Sequence, residues 1–282
     1  YLNAKKRLFT SLLEKDSTAV VNLIGINRRY HGFINDICSR NLITIGTSNA
    51  TINLLGFSRS SNKKINLKIS ANGQLVVIKT PFIALFQAIN ATIAGCVASM
   101  DSRISLMDYL MSITLLKDIS GRLEFVASKY TDANIYVDYA HTPSAMKAVL
   151  ESLRPVTKNK LILVFGAGGN RDKGKRNFMR DIAKNYADFI IVTDDNPRFE
   201  DPKKIRSQLM VNTNNFIEIA DRYDAIKYAI DKLESGDNLI ICGKGHEEYM
   251  IYQDSKISFS DQLAVKSILD LWFNMEDNYR IK

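Results

Sequence analysis

From Asn134 onward the chain alternates short aliphatic runs with helical stretches, and this alternation limits the fold more than any other feature. NIYVDYA (134–140) is followed by TPSAMKAVLESL, and KLILVFG (160–166) by a glycine-rich loop and RNFMRDIAKNYA. DFIIVT (188–193), FIEIA (216–220) with RYDAIKYAIDKLE, and NLIIC (238–242) complete the series. Strand–helix alternation of this kind predicts an open, doubly wound, mostly parallel α/β sheet. Thr142 before Pro143 reads as an N-cap with proline in the first helical position. YMIYQDSKISFS (249–260) reads as a hairpin, and an amphipathic helix is expected from Asp261.

The first half is less regular. Residues 1–15 read as helix, and STAVVNLIG (17–25) and NLITIG (41–46) as buried strands around a polar helical stretch. TINLLGFS, KINLKIS and QLVVIK are short strands, with a turn at Asn72-Gly73. Apolar periodicity predicts helices over 82–99 and 104–119. A break falls near Ser120-Gly121. Two domains, 1–120 and 121–282, fit a chain of 282 residues at ~150 per domain.

Net charge is +8, which suits anionic small substrates as well as nucleic acid. The basic residues are scattered, and no nucleic-acid-binding motif stands out. No apolar run reaches the ~18 residues of a membrane span, so no membrane insertion is expected. Cys38, Cys96 and Cys242 fit neither a zinc spacing nor a disulfide framework, which suggests a reducing cytoplasm. The opening YLNAKKRLF lacks a secretory-signal pattern and begins without Met, so Tyr1 is not expected to be a natural start.

Polar clusters follow four of the predicted strands: DYAHTP, GAGGNRDKGKR, DDNPR and GKGHEE. In doubly wound sheets ligands bind beyond the carboxyl ends of the strands, so parallel pairing would gather all four on one edge. Each alone also has an ordinary reading. Asp138, Tyr139 and His141 could end a strand and cap a helix. GAGGNRDKGKR could be a basic surface loop, although its glycines let backbone N–H groups approach an anion, with Arg171, Lys173, Lys175 and Arg176 adding charge. It is not a P-loop, since no Gly-Lys-Ser/Thr ends it. DDNPR could be a solvated turn, and GKGHEE a tight turn. Two of the chain's three histidines, His141 and His246, nevertheless fall in these clusters. Together the groups suit a small zwitterion beside a polyphosphate: arginines bind carboxylates in a fork, and Glu247 could hold an ammonium.

The runs VDYAHTPSAM, FGAGGNRDKGKR, TDDNPRFEDP and CGKGHEEYMIY, in this order and spacing, resemble the C-terminal domain of the Mur ligases, and most of all the diaminopimelate-adding branch. GRLEFV (121–126) resembles the stretch leading into that domain. AKKRLF (4–9) resembles a helix with a carbamylated lysine, and FQAIN (86–90) a nucleotide-side motif of the central domain. The resemblance covers nearly the whole chain and is vague over 15–80.

It implies part of a central ATPase-type domain followed by a complete, Rossmann-like amino-acid-binding domain. It also implies a cytoplasmic, monomeric, ATP- and Mg2+-dependent amide ligase of peptidoglycan synthesis. The substrates would be UDP-MurNAc-L-Ala-D-Glu and meso-diaminopimelate. Arg171, Asp195, Asn196, Pro197, Arg198, Gly243 and Glu247 match the amino-acid pocket; Asn90, Arg122, Asp138 and His141 match the ATP side; Lys5 matches the carbamylated metal-holding lysine. No catalytic residue is assigned within the chain. The family's P-loop and uridine-binding domain would precede Tyr1, and Ala84 stands where the family often has glycine. The chain alone is therefore expected to be inactive. The competing readings are a non-catalytic remnant, a lysine-adding relative or folylpolyglutamate synthase, against which DNPR argues, and, more distantly, a nucleic-acid-binding module.

Overall fold

The computed structural model describes residues 2–14, 16–26, 41–101, 103–130 and 132–280; residues 2, 5, 101 and 273–280 are described by backbone alone. The chain divides into two compact units, Tyr1–Lys117 and Asp118–Lys282.

In the first unit, helix α1 (Leu2–Arg7) runs into a π-helical turn at Leu8–Leu12. A five-stranded sheet follows in the order β1-β2-β3-β4-β5. Its strands are β1 (Thr18–Asn22), β2 (Asn41–Gly46), β3 (Ile52–Arg59), β4 (Ile65–Ala71) and β5 (Gln74–Lys79). β1, β2 and β3 pair in parallel, and β3, β4 and β5 antiparallel. The polar helical stretch expected between β1 and β2 falls on residues 27–40, outside the described residues. Asn72 (φ 50°) and Gly73 (φ 76°) form the tight turn between β4 and β5, since positive φ at both positions matches the twist of the flanking strands. Helix α2 (Leu85–Ala98) covers the sheet, placing Ala88, Ala91 and Cys96 among Ile52, Leu67, Ile69 and Ile78.

Helix α3 (Leu106–Ser112) starts at Ser105, whose Oγ accepts from Asp108 N at 3.2 Å. The helix expected through 119 ends earlier, in a 3-10 turn at Ile113–Leu115. Periodicity continues past this point but burial does not: Leu115 is 79% and Ile119 59% exposed. A short helix without packing is marginal in water.

The second unit holds a six-stranded sheet in the order β10-β9-β8-β11-β7-β6. The strands are β6 (Glu124–Ser128), β7 (Asn134–Asp138), β8 (Leu161–Phe165), β9 (Phe189–Val192), β10 (Phe216–Glu218) and β11 (Asn238–Cys242). All are parallel except β6, which runs antiparallel on the β7 edge. The connecting helices are α4 (Pro143–Leu153), α5 (Lys175–Tyr186), α6 (Pro202–Leu209) and α7 (Arg222–Lys232). Right-handed crossovers put α4, α5 and α6 on one face and α7 on the other, because the chain reverses direction between β10 and β11. A hairpin, β12 (Tyr249–Tyr252) and β13 (Ser255–Ser258), leads into α8 (Asp261–Arg280), which packs beside α7. Alternate strand residues divide the core. Ile135, Val137, Ile162, Val164, Ile191 and Ile241 pack with Ile226, Ile230, Val265 and Ile268 of α7 and α8. The α4–α6 face buries Met146, Leu150, Met179 and Ala183. β8 and β11 are buried along their whole length, as central strands between two helical layers must be.

Candidate functional site at the carboxyl edge of the second sheet

Each aliphatic run of the parallel sheet ends in polar residues or glycine, and parallel pairing brings these ends to one edge. There the loops after β7, β8, β9 and β11 enclose a cavity of about 430 Å3. Tyr139, His141 and Thr142 reach it from the first loop, and Gly168, Arg171, Asp172 and Lys175 from the second. Asp195, Asn196 and Arg198 line it from the third, and Gly243 and Glu247 from the fourth.

Close backbone contacts hold the loops together. A Cβ on Gly169 would lie 1.9 Å from the Pro197 carbonyl oxygen, so the second loop can approach the third only through glycine. Gly169 N donates to Asn196 O at 2.9 Å, and Arg198 Nη1 donates to Gly169 O at 2.9 Å. Arg198, at φ 53°, also joins β12: its N donates to Ile251 O at 3.0 Å, and Gln253 N donates to its carbonyl at 2.7 Å. Gly121 (φ 65°) packs so tightly that a Cβ would meet His246 N at 2.2 Å, and its carbonyl accepts from Tyr139 N at 2.8 Å.

Of the residues matched to an amino-acid pocket, Arg171, Asp195, Asn196, Arg198, Gly243 and Glu247 line this cavity; Pro197 is buried behind it. Of those matched to the ATP side, only His141 lines it, its Nδ1 2.9 Å from Tyr139 O. Arg122 lies over the Tyr139 ring at 4.6 Å. Asp138 is buried, with both carboxylate oxygens accepting backbone bonds at 2.6 Å, from Leu123 N and Ala140 N. Burial raises its pKa, although those bonds oppose the shift. Asn90 is exposed on α2, in the first unit. The side chain of Lys5, on α1, lies outside the described residues.

Residues 121–245 match the Mur ligase, glutamate ligase domain. The UDP-N-acetylmuramoyl-L-alanyl-D-glutamate–2,6-diaminopimelate ligase of Rickettsia bellii is 41% identical over 275 residues, 95% of this chain and 56% of that protein. The protein of the same name from Agrobacterium fabrum is 37% identical over 277 residues, again 95% of this chain and 55% of the relative. A solved structure of a ligase of that name superposes with a TM-score of 0.61 at 29% identity, covering 97% of this chain and 56% of the other. Over residues 121–245 the chain carries a Mur ligase C-terminal domain. It spans about half the length of the curated relatives it matches.

Buried charge organises this cavity from behind. Arg176, expected to supply loop charge, is 1% exposed and pairs with Glu200 at 3.0 and 3.1 Å, with Gln208 at 2.8 Å and with Gly168 O at 3.3 Å. It ties the second loop to α6 and does not face a ligand. Lys175 does face the cavity, and its Nζ donates to His141 O at 2.8 Å. Burial lowers its pKa, against the pull of Asp195 and Asp172. Asp194 turns away from the cavity to Arg206 and to Tyr252 OH, the latter at 3.1 Å.

Sequence reasoning gave no role to Lys244 and Arg222, both buried beneath the loops. Lysine between two glycines after an aliphatic strand was the available signal for Lys244. Arg222 opens a helix after the N-cap Asp221 and looks in sequence like any solvated helix start. No helix among the described residues is long and apolar enough to cross a membrane. Among the described residues, no group of three or more His, Cys, Asp or Glu side chains could hold a metal ion.

Proposed function

We propose that this chain is part of an ATP-dependent acid–amino-acid ligase. It joins meso-diaminopimelate to the D-glutamate side chain of UDP-MurNAc-L-Ala-D-Glu in peptidoglycan synthesis. The second unit holds the diaminopimelate, and the first is part of the ATP-binding domain. The observation that carries the reading is one cavity where cationic Arg171, Lys175 and Arg198 face anionic Asp195 and Glu247. Diaminopimelate presents two carboxylates and two ammonium groups, so it needs both signs of charge at fixed positions. The names of relatives that align over nearly the whole chain support the same substrate.

The chemistry follows from the poor electrophilicity of a carboxylate. ATP transfers its γ-phosphoryl group to the glutamate carboxylate, giving an acyl phosphate. The diaminopimelate amine attacks that carbonyl, loses a proton and expels phosphate. Positioning and cationic stabilisation are what a protein supplies to such steps. Arg198 is braced through Nη1, and its Nε and Nη2 make no hydrogen bond to the described residues. That edge can take a carboxylate in two parallel bonds, with Arg171 sharing the negative charge. Glu247 and Asp195 receive ammonium. His141, Arg122, Asp138 and Asn90 belong to the ATP side on this reading, and Lys5, as a carbamate, to magnesium. The described residues offer magnesium no donor set of their own. The protein acts in the cytoplasm as a monomer.

Calorimetric titration of the chain with meso-diaminopimelate and L-lysine tests the reading. Saturable binding of diaminopimelate, about tenfold or more tighter than lysine, is expected, a difference of about 1.4 kcal/mol or more. Equal affinity for the two, or no binding of diaminopimelate, overturns it.

A further inference from the structure

We infer that Lys244 is a positioning residue for ammonium recognition: it holds Glu247 so that one carboxylate oxygen is left for the ligand. The inference rests on the reading of the cavity as an amino-acid site. Lys244 is fully buried, so it does not itself touch a ligand. It stands between Gly243 (φ 118°) and Gly245 (φ 54°), whose left-handed backbone forms the turn after β11.

An ammonium group in the interior is costly unless its hydrogens are all taken. Lys244 Nζ donates to Tyr249 O, to Glu247 Oε2 at 3.2 Å and to Asn196 Oδ1 at 3.4 Å. Ile251 N also donates to Asn196 Oδ1, at 2.9 Å. Two donors on one atom identify it as the amide oxygen, so the amide nitrogen must face the other way. Asn196 Nδ2 accordingly donates to Glu247 Oε2 at 2.8 Å. Glu247 thus has one oxygen engaged twice, while Oε1 accepts no hydrogen bond from the described residues on a side chain that lines the cavity. Asn196 has its oxygen filled from within the protein. It braces the third loop against the fourth and does not receive the ligand's ammonium.

The network makes a prediction that general stabilisation does not. Lys244 should matter for a ligand that places an ammonium on Glu247 and matter little for one that lacks it. The probes are meso-diaminopimelate and the two enantiomers of 2-aminopimelate, which keep both carboxylates and lack one or the other ammonium. Affinities are measured by calorimetry on the chain as wild type, Lys244→Met, Glu247→Gln and the double variant. Wild type should prefer diaminopimelate over one enantiomer by about 10- to 100-fold, the effect of one charged hydrogen bond. Lys244→Met should shrink that preference to about threefold or less while holding the affinity for that enantiomer nearly constant. Glu247→Gln should do the same, and the double variant should lose no more. Where Lys244→Met fails to melt cooperatively, Lys244→Gln, which keeps two donors without the charge, is read the same way. Equal weakening of both ligands, or an intact preference, overturns the inference alone. Failure of wild type to bind diaminopimelate overturns the amino-acid reading and this inference with it.

Discussion

Arg222 and Asp261 form a bidentate ion pair from which water is excluded, Nε to Oδ1 at 2.7 Å and Nη2 to Oδ2 at 2.9 Å, with both side chains 0% exposed. The same guanidinium donates to Asp194 O at 3.3 Å, in the loop just past β9, and to Cys242 O at 3.0 Å, at the end of β11. One arginine on α7 therefore ties α8 to two loops of the cavity. Burial alone would lower its pKa, but the charge and hydrogen bonds of Asp261 prevail and raise it. Removing one partner leaves a buried charge uncompensated, at a cost of about 3–5 kcal/mol. Arg222→Met and Asp261→Leu should each lose that much in urea denaturation, and the double exchange much less than the sum. A loss below about 1 kcal/mol for either single change would show that the pair is not what holds these elements.

Gly169 should tolerate no side chain. The 1.9 Å approach to Pro197 O is to backbone, which cannot rotate away as a side chain can. Gly169→Ala must push the second and third loops apart, breaking the Gly169 N to Asn196 O bond and the Arg198 brace. The expected outcome is a loss of about tenfold or more in diaminopimelate affinity. The strands beneath should keep their hydrogen-exchange protection, because the change lies beyond their ends. An unchanged affinity would mean that the loop contact does not shape the cavity.

The parallel architecture was legible because β7, β8, β9 and β11 are aliphatic runs too short for helices, separated by amphipathic stretches. The convergence of their loops followed from parallel pairing alone. β6 was harder to read. GRLEFV is short, bulged between Phe125 and Ala127, and antiparallel on an edge, so it shows neither clean alternation nor full burial. Helix α6 had a readable start in Asp201-Pro202, an N-cap accepting from Lys203 N at 2.9 Å, yet no element was expected over residues 202–209. The partners of buried charges were not legible at all. Arg176 stands beside Lys175 in sequence, yet one is buried against Glu200 and the other faces the cavity, and only the packing of α5 decides which. Likewise, nothing local distinguishes Asn196 as a brace from Asn196 as a ligand group; its amide orientation is set by Ile251, 55 residues away.

Acid stability should depend on Asp132. Its pKa is held down to about 2, first by the hydrogen bond from Lys158 and then by that from Ser235, with Gly236 N adding a third. A carboxylate depressed in the folded state stabilises it above the unfolded pKa, and the contribution is lost as pH falls through the folded one. The window runs from about pH 4 down to about pH 2. Asp132→Asn should flatten the acid limb of a denaturation-midpoint profile in that window and leave the alkaline limb unchanged. An unaltered acid slope would assign the limb to other carboxylates.

Arg198 should decide between diaminopimelate and lysine. The two amino acids differ by one carboxylate at the far end, so a preference must come from a group that binds it. Arg198 occupies a left-handed backbone position, pinned to β12 on both sides. Its Nη1 is committed to Gly169 O at 2.9 Å, which orients the rest of the fork toward the cavity it lines. Arg198→Ala should weaken diaminopimelate by the cost of stranding a buried charge, about 2–5 kcal/mol, or roughly 30- to several-thousand-fold. Arg198→Lys separates charge from geometry. It keeps the cation, but a single ammonium cannot brace Gly169 and hold a carboxylate in two parallel bonds at once, so most of the preference should still be lost. Lysine affinity should change little in either variant, and ATP affinity, measured in the whole ligase, should stay within about threefold, a shift of less than 1 kcal/mol. Equal losses for diaminopimelate, lysine and ATP would make DDNPR a structural turn, with Arg198 serving only to join the third loop to the hairpin.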